Sequence, residues 1–173
     1  KQKDDFYHVI DAIRKSVDDI QWVFVGGFPL SLRDLIKAGK IEFHEWSTLV
    51  DYPRFVSTLN ATLFYAPLED SNFNNAKSDL KFIEACAYGI PSICQDQETY
   101  KNAFHKFKTG DDLVDKIKYL TQDHKKYVKE CKRAREYMNK RWMEDNIDHY
   151  TELYSLPYAD PNRKLLNLQN GIS

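Results

Sequence analysis

Gln21-Trp22-Val23-Phe24-Val25-Gly26-Gly27 is the stretch on which the fold turns. An aromatic and β-branched run with no polar alternation reads as a strand buried on both faces, and such strands belong to parallel sheets. The glycine pair gives a tight turn at its C-terminal end. Upstream, Phe6, Val9, Ile10, Ile13 and Val17 repeat at helical spacing, which predicts a helix over about residues 4–18.

Downstream the alternation continues. Pro29 to Ala38 suits a short helix closed by Gly39, Ile41-Glu42-Phe43 a brief strand, and Tyr52 to Leu59 a helix with Pro53 in its first turn. Ala61 to Ala66 is the second clear buried strand, Pro67 to Asn75 a polar loop, Ser78 to Tyr88 a helix ended by Gly89, and Ile90 to Cys94 a third strand. From Asp111 onward the chain reads as helical, over about 111–121, 123–141 and 142–155. Tyr127, Cys131, Ala134, Met138 and Trp142 stripe the long helix. Residues 156–173 carry little periodicity and read as a tail, which leaves 1–155 as the domain. Strands alternating with helices give an α/β fold, a parallel sheet flanked by helices with an all-helical C-terminal extension. The first helix lacks the strand a crossover requires, so the first strand is expected upstream of residue 1.

Composition narrows the function. The 173 residues are 42% hydrophobic and 29% charged with a net charge of -1, so nothing pulls the chain as a whole toward nucleic acid. Cys86, Cys94 and Cys131 are odd in number and lack C-x-x-C spacing; they read as core residues in a reducing, cytoplasmic setting. The histidines His8, His44, His105, His124 and His149 show no metal-ligand spacing and read as incidental. No apolar stretch is long enough for a membrane helix. The basic helix 123–141, with Lys125, Lys126, Lys129, Lys132, Arg133 and Arg135, admits two readings: a solvated face, which is the commoner case, or a patch for a membrane surface.

In open parallel sheets ligands sit at the C-terminal ends of the strands. Three segments leave such ends: Gly26 to Pro29, His44 to Ser47, and the long polar one from Pro67 to Lys77. The last leads into the richest constellation. Lys77, Lys81, Glu84 and Tyr88 share one helix face, while Leu80, Ile83 and Ala87 occupy an adjacent face suited to the sheet. Ser78 is placed as N-cap and Asp79 as a first-turn acid. Free N–H groups at a helix start beside two lysines suit a diphosphate. A carboxylate further along suits a pair of neighbouring hydroxyls. Spacing alone favours a plainer reading, a Lys81–Glu84 ion pair in solvent worth a few tenths of a kcal/mol.

These landmarks, in this order, resemble the C-terminal, nucleotide-sugar-binding domain of two-Rossmann-domain (GT-B) glycosyltransferases, in the retaining group that builds bacterial polysaccharides. The matching stretches are Trp22 to Gly26, Ile41 to Trp46 with Tyr52-Pro53, Leu63 to Leu68, then Phe73-Asn74, Lys77-Ser78, Lys81, Glu84, Gly89 to Pro91, and Asp96. They span about residues 4–105. The resemblance implies a Rossmann-like fold, with Glu84 as the second glutamate of a Glu-x7-Glu motif and bound to the donor ribose. The first glutamate would fall at Ala76, a departure that puts its contacts to the transferred sugar in doubt; Asn72, Asn74 or Lys77 are the candidates to replace them. Backbone amides at Asp79, Leu80 and Lys81, beside Ser78, would take the phosphates, and Trp46 completes the donor-binding set. The family's basic pair after the first strand has no clear counterpart; Lys3 is a candidate remnant.

The resemblance implies hexosyl transfer from a nucleotide-diphosphate sugar to a hydroxyl acceptor, without a metal or other cofactor and with retained configuration. The expected partners are the sugar donor, an N-terminal Rossmann domain of the same polypeptide and, where acceptors are lipid-linked, a membrane-peripheral site. No catalytic residue is identified, and this segment alone is expected to be inactive. The competing reading is a non-catalytic nucleotide-sugar-binding or protein-interaction module of the same fold. A flavodoxin-like regulatory domain has less support, for want of an acidic cluster at the end of a first strand.

Overall fold

Short apolar runs closed by turns give short parallel strands. In the computed structural model, which describes residues 5–142, 144–148 and 151, strand β1 (Trp22–Val25) pairs in parallel with β2 (Ile41–His44), Trp22 opposite Ile41 and Val25 opposite His44. Strands β3 (Phe64–Ala66), β4 (Ser92–Gln95) and β5 (His105–Phe107) form a second parallel ladder in that order. Parallel neighbours need crossovers, and helices supply them. These are α1 (Ile10–Ser16), α2 (Arg33–Lys37), α3 (Tyr52–Thr58), α4 (Asn72–Asn75) and α5 (Leu80–Tyr88), followed by α6 (Gly110–Thr121) and α7 (His124–Asn139). The fold is Rossmann-like α/β, parallel sheets flanked by helices.

The two ladders are not hydrogen-bonded to each other. Aromatic rings join them: Tyr65 of β3 meets Trp22 edge-on at 5.1 Å and Phe24 at 6.2 Å, and Phe6 contacts both Phe24 and Tyr65. One core gathers Val9, Ile13, Phe24, Ile41, Ile93, Phe107 and Leu113 around these strands. A second lies beneath α5 and α7 and holds Phe82, Cys86, Cys94, Tyr100, Ala134 and Met138.

Several expectations shift. The first helix opens as a 3-10 turn, Tyr7–Val9, and turns α-helical only at Ile10. Strand β3 starts at Phe64 rather than Ala61, because the Thr62 carbonyl accepts the Tyr127 hydroxyl at 3.0 Å. The polar loop contains α4, whose N-cap is Ser71; its hydroxyl accepts the Asn74 N–H at 3.2 Å. Ser78 is not the cap of α5: Asp79 holds that place, and no side chain caps the helix. The apolar face of α5 is also rotated. Phe82, Ala85 and Cys86 are buried, whereas Leu80 is exposed and Ala87 faces out. Strand β5 was not foreseen, and Cys131 is only half-buried, unlike Cys86 and Cys94.

The chain divides into two compact units, one running to Met138 and one from Asn139. In the second, a 3-10 turn spans Glu144–Asn146, and Asn146 Nδ2 donates to the Trp142 carbonyl at 2.8 Å. The helix expected over 142–155 lies partly outside the described residues, and the tail over 156–173 wholly so. No helix among the described residues is long and apolar enough to cross a membrane.

Candidate functional site

Strand β1 ends where the Gly26 N–H donates to the His44 carbonyl at 2.8 Å, one step beyond the ladder. Gly26 then turns with φ +78°, a conformation that favours glycine. The missing side chain also makes room. A Cβ on Gly26 would stand 2.5 Å from Cε3 of Trp46, so the indole lies directly on the backbone here. Trp46 belongs to the loop that leaves β2, is 66% exposed, and stacks near-parallel to Tyr52 at 6.2 Å and 20°. A local turn fixes the spacing between the two rings: the Thr48 hydroxyl donates to Asp51 Oδ2 at 2.6 Å and the Tyr52 N–H donates to the Thr48 carbonyl at 2.8 Å.

Tyr52 opens α3 and leads to Glu84. Its ionisation is pushed well up, first by burial, then by its hydrogen bond with the Glu84 side chain and by that carboxylate's charge. Tyr88 responds to the same carboxylate, after burial, and donates its hydroxyl to the Pro53 carbonyl at 3.2 Å. The Glu84 side chain is only 15% exposed, while its partner Lys81, at 3.2 Å from Oε2, is 59% exposed. A half-solvated i, i+3 pair of this kind contributes little to stability. The other oxygen is the informative one, since Glu84 Oε1 is buried and has no partner at good hydrogen-bonding geometry, the Tyr52 hydroxyl being the donor set against this carboxylate. A buried acceptor left unsatisfied costs about 1–3 kcal/mol, so its persistence needs an explanation.

Three other buried side-chain atoms share that condition among the described residues: Ser47 Oγ, Asn75 Oδ1 and Gln97 Oε1. Ser47 follows β2, Asn75 lies on α4 after β3, and Gln97 follows β4. The unsatisfied polar atoms thus gather in segments that leave the C-terminal ends of strands. The segments that follow strand ends also expose Leu30, Trp46, Leu49, Val50, Phe73 and Leu80.

The residues singled out from the sequence do not all come together. Glu84, Lys81 and Trp46 come together through Tyr52. Asp79 and Leu80 open α5, where the first N–H groups of a helix lack intrahelical acceptors; Ser78 precedes them, and Lys77 sits 5.1 Å over the Phe73 ring. Asn72 starts α4. Asn74 stands apart: at 5% exposure its amide donates to Asp5 Oδ1 at 3.2 Å and the Glu69 carbonyl at 2.7 Å, and Thr99 donates to its carbonyl, so it braces the loop. Sequence reasoning did not assign roles to Tyr52 and Ser47. The signals available were the Tyr52-Pro53 landmark for Tyr52 and, for Ser47, its place in the segment that leaves the end of β2.

A family model described as glycosyl transferase-like matches residues 7–150. No curated protein and no solved structure matches the chain.

Proposed function

Because the chain belongs to the glycosyl transferase-like family, we propose that it is the donor-binding domain of a glycosyltransferase that moves a hexose from a nucleotide-diphosphate sugar to a hydroxyl acceptor. The observation that carries this reading is Glu84: a mostly buried carboxylate whose Oε1 lacks a well-placed partner, beside the half-buried Tyr52 that stacks with the exposed Trp46. A ribose diol satisfies that oxygen. The diphosphate then falls toward the start of α5, where backbone N–H groups and the Lys77 and Lys81 ammonium groups face developing negative charge on the leaving group without a metal ion. The exposed apolar side chains of this edge suit a second Rossmann-like domain of the same polypeptide, which closes the cleft and brings the acceptor. A lipid-linked acceptor would hold the enzyme at the cytoplasmic face of a membrane.

Glu84→Gln tests the reading. It keeps the shape and removes the charge, so a charge-assisted bond worth about 1.5–3 kcal/mol is lost and donor affinity falls about ten- to a hundredfold. Stability changes little, because the Lys81 contact is weak. Unchanged affinity with altered stability would instead mark a structural ion pair. Ala76 favours a second reading, a nucleotide-sugar-binding module without turnover, since no carboxylate stands there for the transferred sugar. Donor binding by the full-length protein with no sugar transfer to any acceptor tested would select it.

A further inference from the structure

We infer that β1 and β3 flank the seat of one further parallel strand, supplied by the polypeptide upstream of residue 1, which joins the two ladders into one sheet. The direction of the backbone groups carries this. Along a strand, successive residues turn their N–H and C=O groups to opposite sides. The Gly26 N–H donates to the His44 carbonyl, so Phe24 and Gly26 face β2, and Val23 and Val25 face the other way. The Phe64 N–H donates to the Pro91 carbonyl beside β4, so Tyr65 faces away from β4. Val23, Val25 and Tyr65 thus turn polar backbone toward the boundary between the ladders, where no ladder bond forms among the described residues. Buried backbone groups are almost always paired, so these edges call for a partner. Side chains span the boundary instead: Tyr65 meets Trp22 at 5.1 Å and Phe24 at 6.2 Å. Neighbouring strands lie about 4.8 Å apart, so a strand between β1 and β3 sets those two about 10 Å apart. Large rings bridge that distance and backbone hydrogen bonds do not.

The path of the chain identifies the occupant. Helix α1 delivers the chain into β1 and packs on the same core through Ile13. A helix so placed is the crossover between two parallel strands, and strands joined in this way are usually neighbours. Strand β2 already holds one side of β1, which leaves the side toward β3. Phe6, just before the turn into α1, lies 5.5 Å from the Phe24 ring and 6.3 Å from the Tyr65 ring. Asp5 Oδ1 accepts the Glu69 N–H of the segment after β3. The chain therefore approaches α1 from the C-terminal end of that boundary, where a parallel strand lying in it would finish. With this strand in place, the strand order reverses between it and β3, and ligands of open parallel sheets bind at such a reversal. The upstream strand then brings its last residues to the crevice beside the segment from Pro67 to Lys77. This placement needs no assumption about the ligand.

Residue-resolved amide hydrogen exchange tests it on the polypeptide that includes the native upstream residues, with residues 1–173 alone as the comparison. In the longer polypeptide the Val23, Val25 and Tyr65 amides are expected to be as protected as those of Gly26 and Phe64, which already donate within the ladders. In residues 1–173 the same three amides are expected to exchange about tenfold faster or more, the worth of one backbone hydrogen bond, while Gly26 and Phe64 change less. A proline within the upstream strand, which cannot donate to a ladder, should lower the protection of the three amides in the longer polypeptide. That arm decides alone if residues 1–173 do not fold. Free exchange of the three amides in the longer polypeptide would overturn the inference. Equal protection in both chains would overturn it too, and protection of residues 1–173 that grows with protein concentration would assign the edges to a second copy instead.

Discussion

Gly26 illustrates how one residue sets the site. Its φ of +78° and the indole at 2.5 Å from a would-be Cβ act together. Gly26→Ala is expected to cost about 1–2 kcal/mol through the left-handed backbone alone. It also pushes Trp46 off its seat, so nucleotide binding should weaken along with the melting temperature. Thermal denaturation and fluorescence titration on one sample read both, and a variant as stable as wild type would show that the turn adapts. The thiols behave differently from one another for a local reason as well. Burial pushes the Cys94 thiol up to about 12, whereas Cys131 is half-buried. An alkylating reagent at neutral pH should therefore label Cys131 first and leave Cys94 intact in the folded chain, as peptide mass spectrometry would show.

At the scale of elements, what periodicity encodes was legible and what single contacts decide was not. Strand β1 stands out because it is apolar throughout, although only Trp22 and Phe24 of it are fully buried, and α6 and α7 because their stripes are long. Strand β5 was hidden: His105-Lys106-Phe107 is too short for a pattern, and among the three only Phe107 is fully buried. The cap of α5 was misplaced because Ser71 and Ser78 look alike in sequence, and only the former sits where its hydroxyl meets a free N–H. The Lys81–Glu84 spacing is legible in the helix, but the interaction of Glu84 with Tyr52, which lies far off in the chain, is not. Element contacts also carry a pH signature. Arg14 of α1 grips Asp34 of α2 with two hydrogen bonds, at 2.9 and 2.6 Å, and donates to the Ser31 carbonyl. The hydrogen bond from Arg14 is the main cause that holds the Asp34 carboxyl down to about 2, below the unfolded value of about 3.9. Its contribution is present above about pH 4 and is lost as pH falls toward 2. Asp34→Asn should lower the melting temperature slightly at pH 6, and the difference should vanish by about pH 2; a constant difference across that range would contradict the pairing.

For the molecule as a whole, the proposed donor site runs along the edge where the strands end, and in it the buried oxygen of Glu84 accepts from a ribose diol. A double cycle tests this most directly: calorimetric affinities of wild type and Glu84→Gln for a nucleoside diphosphate and its 2′-deoxy analogue. In wild type the deoxy ligand should bind less tightly, and in Glu84→Gln the two ligands should bind about equally, because the group that distinguishes them is gone. The same preference for the ribo ligand in both proteins would mean that the diol is read elsewhere, and the assignment of Glu84 would be wrong.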